Sequence, residues 1–269
     1  MVKDESILLD HVLPIWKNYK VDYFIFYDDN SSDNTIEIIK KHLPAEKIII
    51  LNDQISKFNE GYQRQRMIDE SRKLNVDYVI TLDADELLSS NIVTNFENFI
   101  KTYENYDQHL YWYNVVNDSI HGYRSDPLYK NNYRSFVLPL NKCSNLDINQ
   151  WKYHTPRTPS INLPKTFTKE YGVIHLQASN KKYYAIKQLW YKHHEFIEYK
   201  HSFEFINQRY DPVVNGFNFN PMTTPKSITN NINIDLSFFD GLEKIKGYEQ
   251  YVKKNYREEL ITFGKEYLI

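Results

Sequence analysis

Two short apolar runs, each ending in a cluster of acids, constrain this chain more than any other feature. Residues 21–27 (VDYFIFY) lead into Asp28-Asp29, and residues 76–82 (VDYVITL) lead into Asp83-Ala84-Asp85-Glu86. A run that is apolar almost throughout suits a parallel strand covered on both faces. In open α/β sheets, ligands bind beyond the carboxyl ends of the strands. Both acidic clusters therefore stand where a ligand would be met. Three carboxylates within four residues repel one another unless a cation compensates them. Hard oxygen donors select Mg²⁺ or Mn²⁺, typically held by one or two carboxylates plus substrate phosphates. The competing reading has the same acids cap a following helix in solvent. Their place at the end of a buried strand, with a second acidic strand end upstream, favours the metal.

Around these runs the pattern alternates between strand and helix. Apolar periodicity predicts helices over 5–16, from 33 or 34 to 43, and over 61–74, 91–103, most of 180–206 and 242–263. Strands are expected at 47–51, 110–116, 133–140 and 171–176. Asn34 and Glu37 have capping-box spacing, and Pro44 ends the second helix. This alternation predicts a layered α/β fold with a largely parallel first half. After Asp85 the pattern becomes mixed. The chain has 269 residues, enough for one large domain with an extension. The expected division is a domain over 1–200 and a C-terminal extension over 201–269 packed on it. Residues 215–233, rich in Asn, Pro, Thr and Ser, read as a loop within that extension.

Composition removes several classes. The net charge is −2, so no basic field argues for nucleic acid or an anionic membrane. The single cysteine, Cys143, excludes an internal disulfide framework and a cysteine zinc site. Residues 1–20 are too mixed in charge for a signal peptide, and a cytoplasmic, reducing setting is expected. No apolar run approaches the ~20 residues of a membrane-spanning helix. Tyr, Trp and Phe make up 16% of the chain, and Tyr and Trp stack on sugar rings and hydrogen-bond hydroxyls.

Five stretches in order, VKDESILLDHVLPIW, YFIFYDDNSSDNT, GYQRQ, DYVITLDADELL and VIHLQASNKKYYAIKQLWYKHHE, resemble the family 2 and family 2-like glycosyltransferases in letters and in spacing. The resemblance runs from Val2 to about Lys200. It implies a GT-A type fold, with a Rossmann-like, largely parallel sheet flanked by helices and a mixed acceptor-side half. It also implies metal-dependent, inverting transfer of a hexose from a nucleoside-diphosphate sugar, a UDP-sugar being favoured, to a hydroxyl of a glycan, lipid or protein acceptor. On this resemblance Asp28 and Asp29 face the nucleoside, and Lys3-Asp4-Glu5 stands for the family's Lys-Asn-Glu, with Glu5 at the nucleotide pocket. Gln63 and Arg66 border the base and diphosphate. Asp83 and Asp85 hold Mn²⁺ or Mg²⁺ against the diphosphate, and Lys187 approaches it. The family pattern carries a strand ahead of Lys-Asn-Glu, whereas Lys3 stands third in this sequence.

His175, in VIHLQ, matches a family histidine at a strand end. Its imidazole is either a third metal ligand or a group facing the acceptor. Inverting transfer also needs a base for the acceptor hydroxyl. Asp126, in HGYRSDP, is the expected base, with His175 as its rival. Lys187, Tyr191 and His194 share a helical face at i, i+4 and i+7. Trp151, Tyr153 and His154 are expected to shape the acceptor side. Two other classes compete. A nucleotidyltransferase of similar architecture usually carries a Gly-rich phosphate loop, and this chain has seven glycines and no such loop. A non-catalytic nucleotide-sugar or glycan-binding module would bind the donor without turning it over.

Overall fold

The structure, a computed structural model, describes residues 1–53, 59–145, 156–215 and 220–268. Trp151, Tyr153 and His154 lie outside the described residues. In chain order the elements are α1 (Ser6–Trp16), β1 (Phe24–Tyr27), α2 (Thr35–His42), β2 (Ile48–Leu51), α3 (Glu60–Lys73), β3 (Tyr78–Ile80), β4 (Glu86–Leu88), α4 (Ser90–Thr94) and α5 (Phe96–Lys101). There follow β5 (Asp107–Val116), β6 (Ser119–Tyr123), β7 (Tyr133–Ser135), β8 (Val137–Pro139), β9 (Lys165–His175), α6 (Lys181–Tyr199), α7 (Phe203–Asn215), β10 (Met222–Thr223), α8 (Lys226–Thr229) and α9 (Glu243–Lys254). This is the α/β layering expected of a GT-A type chain.

The chain divides into two compact units that interleave along the sequence. The first comprises residues 1–112, 133–173 and 230–234; the second comprises 113–132, 174–229 and 235–269. In the first unit β1 and β2 pair in parallel, with Phe24 opposite Ile48 and Tyr27 opposite Leu51. The bonds Val2 N–H to Tyr27 O (2.8 Å) and Asp29 N–H to Val2 O (2.9 Å) lay Val2 beside the end of β1. β3 pairs antiparallel with β8. The expectation that both acidic runs are strands of one parallel sheet is therefore corrected. Each run sits in its own two-stranded sheet. A cavity of about 270 Å³ is lined by residues of both β1 and β3, with Trp16, Ile68 and Arg157 among its walls.

Helix α1 buries Leu8, Leu9, Val12, Leu13 and Trp16. Of the apolar stripe expected from Ile7, Leu8, Val12 and Ile15, Leu8 and Val12 are buried, Ile15 is half-buried and Ile7 is exposed. On α3 the buried positions include Gly61, Arg64, Ile68 and Ser71, a stripe of 3-4-3 spacing that contains a charged residue. Residues 133–140 form two strands instead of one. β7 pairs with β5 and β8 with β3, and the break falls at buried Phe136, whose carbonyl accepts from Thr81 N–H at 2.8 Å. Residues 91–103 likewise break at Asn95.

In the second unit β6 pairs with the end of β5 and with β10. The turn between β5 and β6 places Asn117 and Asp118 at φ of 60° and 50°. Both residue types tolerate the left-handed region, so a tight hairpin forms there. Helix α6 starts at Asn180, whose side chain accepts from Tyr183 N–H, and ends at Lys200 with φ 56°. That left-handed residue separates α6 from α7, within a stretch expected to be mostly helical over 180–206. The core of this unit includes Tyr184, Ala185, Val116 and Ala178, and a second cluster of Ile206, Tyr210 and Leu260. Lys192 is fully buried, with its Nζ donating to Asp211 Oδ1 and Thr262 Oγ1, both at 2.6 Å. The segment read as a loop over 215–233 contains β10 and α8, and the last long helix stops at Lys254 rather than 263.

Candidate functional site

The acidic turn after β1 is clamped by the N-terminal residues. Asp4 accepts from Ser32 N–H at 2.6 Å, Asp4 N–H donates to Ser31 Oγ (3.0 Å), and Glu5 N–H donates to Thr35 Oγ1 (2.8 Å). Lys3 Nζ donates to the carbonyls of Asp29 (2.7 Å) and Asn30 (3.2 Å). This lays the Lys3-Asp4-Glu5 triplet against the Asp28–Asp29 turn. Asp28 is buried and closes the turn, accepting from Ser31 N–H (3.1 Å) and Asn52 Nδ2 (3.2 Å). Asp29 accepts from Gln63 Nε2 at 3.0 Å. Burial raises the Asp29 carboxyl above its ordinary value and nearby Asp28 adds to the rise, against the opposing pull of Lys3 and Gln63.

The second acidic turn is closed at both ends. Glu86 N–H donates to Asp83 O (3.1 Å), while Asp83 N–H donates to Glu86 Oε2 (2.8 Å). Glu86 is fully buried, and its Oε1 also accepts from Trp112 Nε1 at 2.7 Å. Trp16 Nε1 holds the Glu86 carbonyl at 2.9 Å. Asp85 is 8% exposed, so it is a buried acid rather than the surface acid its strand-end position suggests. The Asp83 side chain is 33% exposed and remains open to solvent.

Two guanidinium groups converge on Asp83. Arg64 Nη2 donates to Oδ1 at 3.1 Å, and Arg157 Nη2 donates to Oδ2 at 2.7 Å. Arg64 is also held by Glu60, at 3.0 Å through Nε and 2.8 Å through Nη2. Arg157 forks onto Glu86, with Nη1 to Oε2 and Nη2 to Oε1 both at 2.7 Å. Its guanidinium lies 5.2 Å from the centroids of both Trp112 and Phe136. Burial disfavours the Arg157 charge, but Asp83, Glu86 and Asp85 outweigh it and hold the group above its ordinary value.

Helix α3 ties the two turns together. Neighbouring residues Gln63 and Arg64 reach Asp29 and Asp83, so both acidic clusters flank the first half of one helix. Asn59 caps that helix, accepting from Tyr62 N–H at 3.0 Å, and its N-terminal dipole favours anions. Arg66 turns instead to Asp53, at 2.8 Å, which Tyr62 also reaches at 3.0 Å.

The remaining expected site residues lie in the second unit. His175 is buried, its Nδ1 2.7 Å from Asn114 Oδ1. Asp126 forms a buried pair with Arg124, 2.9 Å from its Nε. Lys187 Nζ lies over the Tyr183 ring, 5.7 Å from its centroid.

Sequence reasoning missed Glu60, Arg64, Trp112 and Arg157. Arg64 had a signal, since it shares the 3-4-3 stripe of α3 with Ile68 and Ser71, which Arg66 does not. Arg157 had none, standing between Pro156 and Thr158 outside any periodic segment. Among the described residues no three His, Cys, Asp or Glu side chains are grouped as a protein-only metal shell. The partly open Asp83 carboxylate and adjacent Asp85 are hard oxygen donors, a set that fits a Mg²⁺ or Mn²⁺ arriving with a diphosphate.

A family model described as glycosyl transferase family 2 matches residues 7–158. No curated protein matches the sequence. Among solved structures, that of S. aureus TarS aligns with a TM-score of 0.45 and 11% identity, covering 96% of this chain and 53% of TarS, so this chain spans about half of that structure's length. TarS 1-349 aligns at 0.44 and 12% identity, covering 93% of this chain and 79% of the other. The same piece in complex with UDP-GlcNAc aligns at 0.39 and 10%, with the same coverages. Scores this low carry no inference about ligand or reaction. The family match covers more than half of the sequence and takes in both acidic turns, α3 and Arg157: the chain belongs to glycosyl transferase family 2.

Proposed function

We propose that this chain transfers a hexose from a nucleoside-diphosphate sugar, with a UDP-sugar favoured, to an acceptor hydroxyl with inversion at the anomeric carbon. The observation that carries the reading is the pairing made by consecutive residues of α3, Gln63 with Asp29 and Arg64 with Asp83. It gathers at one capped helix the acid proposed for the nucleoside, Asp29, and the acid proposed for the diphosphate, Asp83. Asp83 and Asp85 are the residues proposed to hold the divalent cation, which when bound supplies Lewis-acid stabilisation of the departing diphosphate. Asp29, with Gln63 and the Lys3-Asp4-Glu5 clamp behind it, orients the nucleoside. In the transfer, the acceptor oxygen bonds to the anomeric carbon as the carbon–phosphate oxygen bond breaks. The bonding pair leaves with the diphosphate, and the acceptor proton passes to a base. Asp126 and His175 are proposed for that step on the sequence alone; kinetics of Asp126→Asn and His175→Gln separate them.

A thermal-shift panel of UDP-, GDP- and dTDP-sugars with and without Mn²⁺ tests the reading. A donor at 100 times its Kd stabilises the native state by about 2.7 kcal/mol. One nucleotide class is expected to raise the melting temperature, and more so with Mn²⁺. A panel without any shift contradicts the proposal. A shift without sugar release would favour a binding module instead.

A further inference from the structure

We propose that Arg157 is a built-in counter-cation for the Asp83–Glu86 turn, and that it competes with the divalent metal for Asp83. The proposal rests on placing the metal at Asp83, as above. Glu86 is fully buried and its carboxylate needs a positive partner. The fork of Arg157 onto both Glu86 oxygens meets that need. The same Nη2 also reaches Asp83 Oδ2 at 2.7 Å, a contact that anchoring Glu86 does not require. Asp83 is the more open acid of the two, with a third of its side chain exposed. Both Asp83 oxygens are already held by guanidinium groups, Oδ1 by Arg64 at 3.1 Å and Oδ2 by Arg157 at 2.7 Å. A metal that meets Asp83 must therefore displace one of these contacts, and Arg157 makes the shorter. A divalent cation on Asp83 would stand beside Arg157, and like charges in contact across a partly dry site repel strongly.

Arg157 is also fixed from behind. Trp112 and Phe136 flank its guanidinium, and Trp112 donates to the same Glu86 carboxylate. The group cannot retreat far while it holds Glu86. Metal affinity at Asp83 should then be low in the bare protein and rise when a diphosphate brings negative charge to offset the guanidinium. The resulting order, metal with nucleotide rather than metal first, is a property of this turn, where Arg157 joins Arg64 on Asp83.

The test counts free Mn²⁺ by electron paramagnetic resonance during titration into the wild type, Arg157→Lys, and Arg157→Lys combined with Asp83→Asn, all without nucleotide. Lysine keeps a positive charge for Glu86 but lacks the second arm to Asp83. Arg157→Lys is expected to bind Mn²⁺ about tenfold more tightly than the wild type, the scale expected when a like charge moves off a partly screened site. The added Asp83→Asn should cancel the gain. A purely structural arginine would lower the melting temperature of Arg157→Lys and leave Mn²⁺ affinity unchanged, and that result overturns the proposal. The wild type offers a second readout should the variant fold poorly. Coupling between two ligands of one site is reciprocal, so saturating Mn²⁺ should speed phenylglyoxal modification of Arg157, read by peptide mass spectrometry. Equal rates with and without Mn²⁺ also overturn it. If donor sugars still shift the wild type, only the Arg157 proposal has failed; if they do not, the functional reading fails with it.

Discussion

Replacing Glu86 by alanine should unfold the site, whereas replacing Asp83 by asparagine should silence it with the fold intact. The contrast follows from burial. Glu86 is fully buried and accepts from Asp83 N–H at 2.8 Å, from Trp112 Nε1 at 2.7 Å, and from two Arg157 nitrogens at 2.7 Å. Removing one partner of a buried ion pair costs about 3–5 kcal/mol, because the other charge is left in a poor solvent. The orphaned indole and backbone N–H groups act in the same direction. Asp83 is 33% exposed, and without it Arg64 and Arg157 still keep Glu60 and Glu86 as partners. Its loss therefore strands no charge and costs about 0–1 kcal/mol, as at a solvated pair. At about 2–4 °C per kcal/mol, Glu86→Ala should melt roughly 6–20 °C below the wild type. Asp83→Asn should stay within about 4 °C by the same scale. Scanning fluorimetry and urea titration of both variants decide the matter. A Glu86→Ala melting point close to the wild type would refute the reasoning, as would Asp83→Asn melting as low as Glu86→Ala.

Asp29→Asn should raise stability at neutral pH or leave it unchanged while weakening nucleotide binding. An acid whose folded value is raised penalises the folded state once it ionises, so the gain should appear as pH rises through its titration and vanish below about pH 3.8; melting curves from pH 3 to 8 check the sign. Arg124→Met should strand Asp126 in a site where both side chains are 2% exposed, and cost about 3–5 kcal/mol by urea denaturation. Gly264→Ala should cost about 1 kcal/mol or more in the same assay, because Gly264 has φ +67° and an added Cβ would lie 3.2 Å from Leu189 Cδ1.

How much of this was legible in the sequence depended on whether the signal was local. The two acidic strand ends, α1 and α3 follow from apolar runs and helical periodicity, and they stand close to where those patterns put them. Register and pairing do not follow from periodicity. Nothing in VDYVITL says that β3 pairs antiparallel with β8, since that partner lies about sixty residues downstream. The β6 hairpin was legible in the Asn117-Asp118 turn, and its strand was overlooked because residues 119–123 are short and weakly apolar. Within the site, Gln63 was found by resemblance, but its neighbour Arg64 was passed over for Arg66. The stripe of Gly61, Arg64, Ile68 and Ser71 would have chosen correctly, because a charged residue on a buried stripe must meet a partner. Arg157 depends on a long-range ion pair, for which the sequence carries no periodic mark.

The central claim is that the two acidic turns, joined through α3, form the donor site of a glycosyltransferase. Its most direct measurement is release of the nucleoside diphosphate from the donor selected by the thermal-shift panel, followed with Mn²⁺ in the wild type, Asp83→Asn and Gln63→Ala. The account expects metal-stimulated release by the wild type, with the rate lost in Asp83→Asn and donor affinity reduced in Gln63→Ala, both variants being folded. Equal release by Asp83→Asn and the wild type would contradict it.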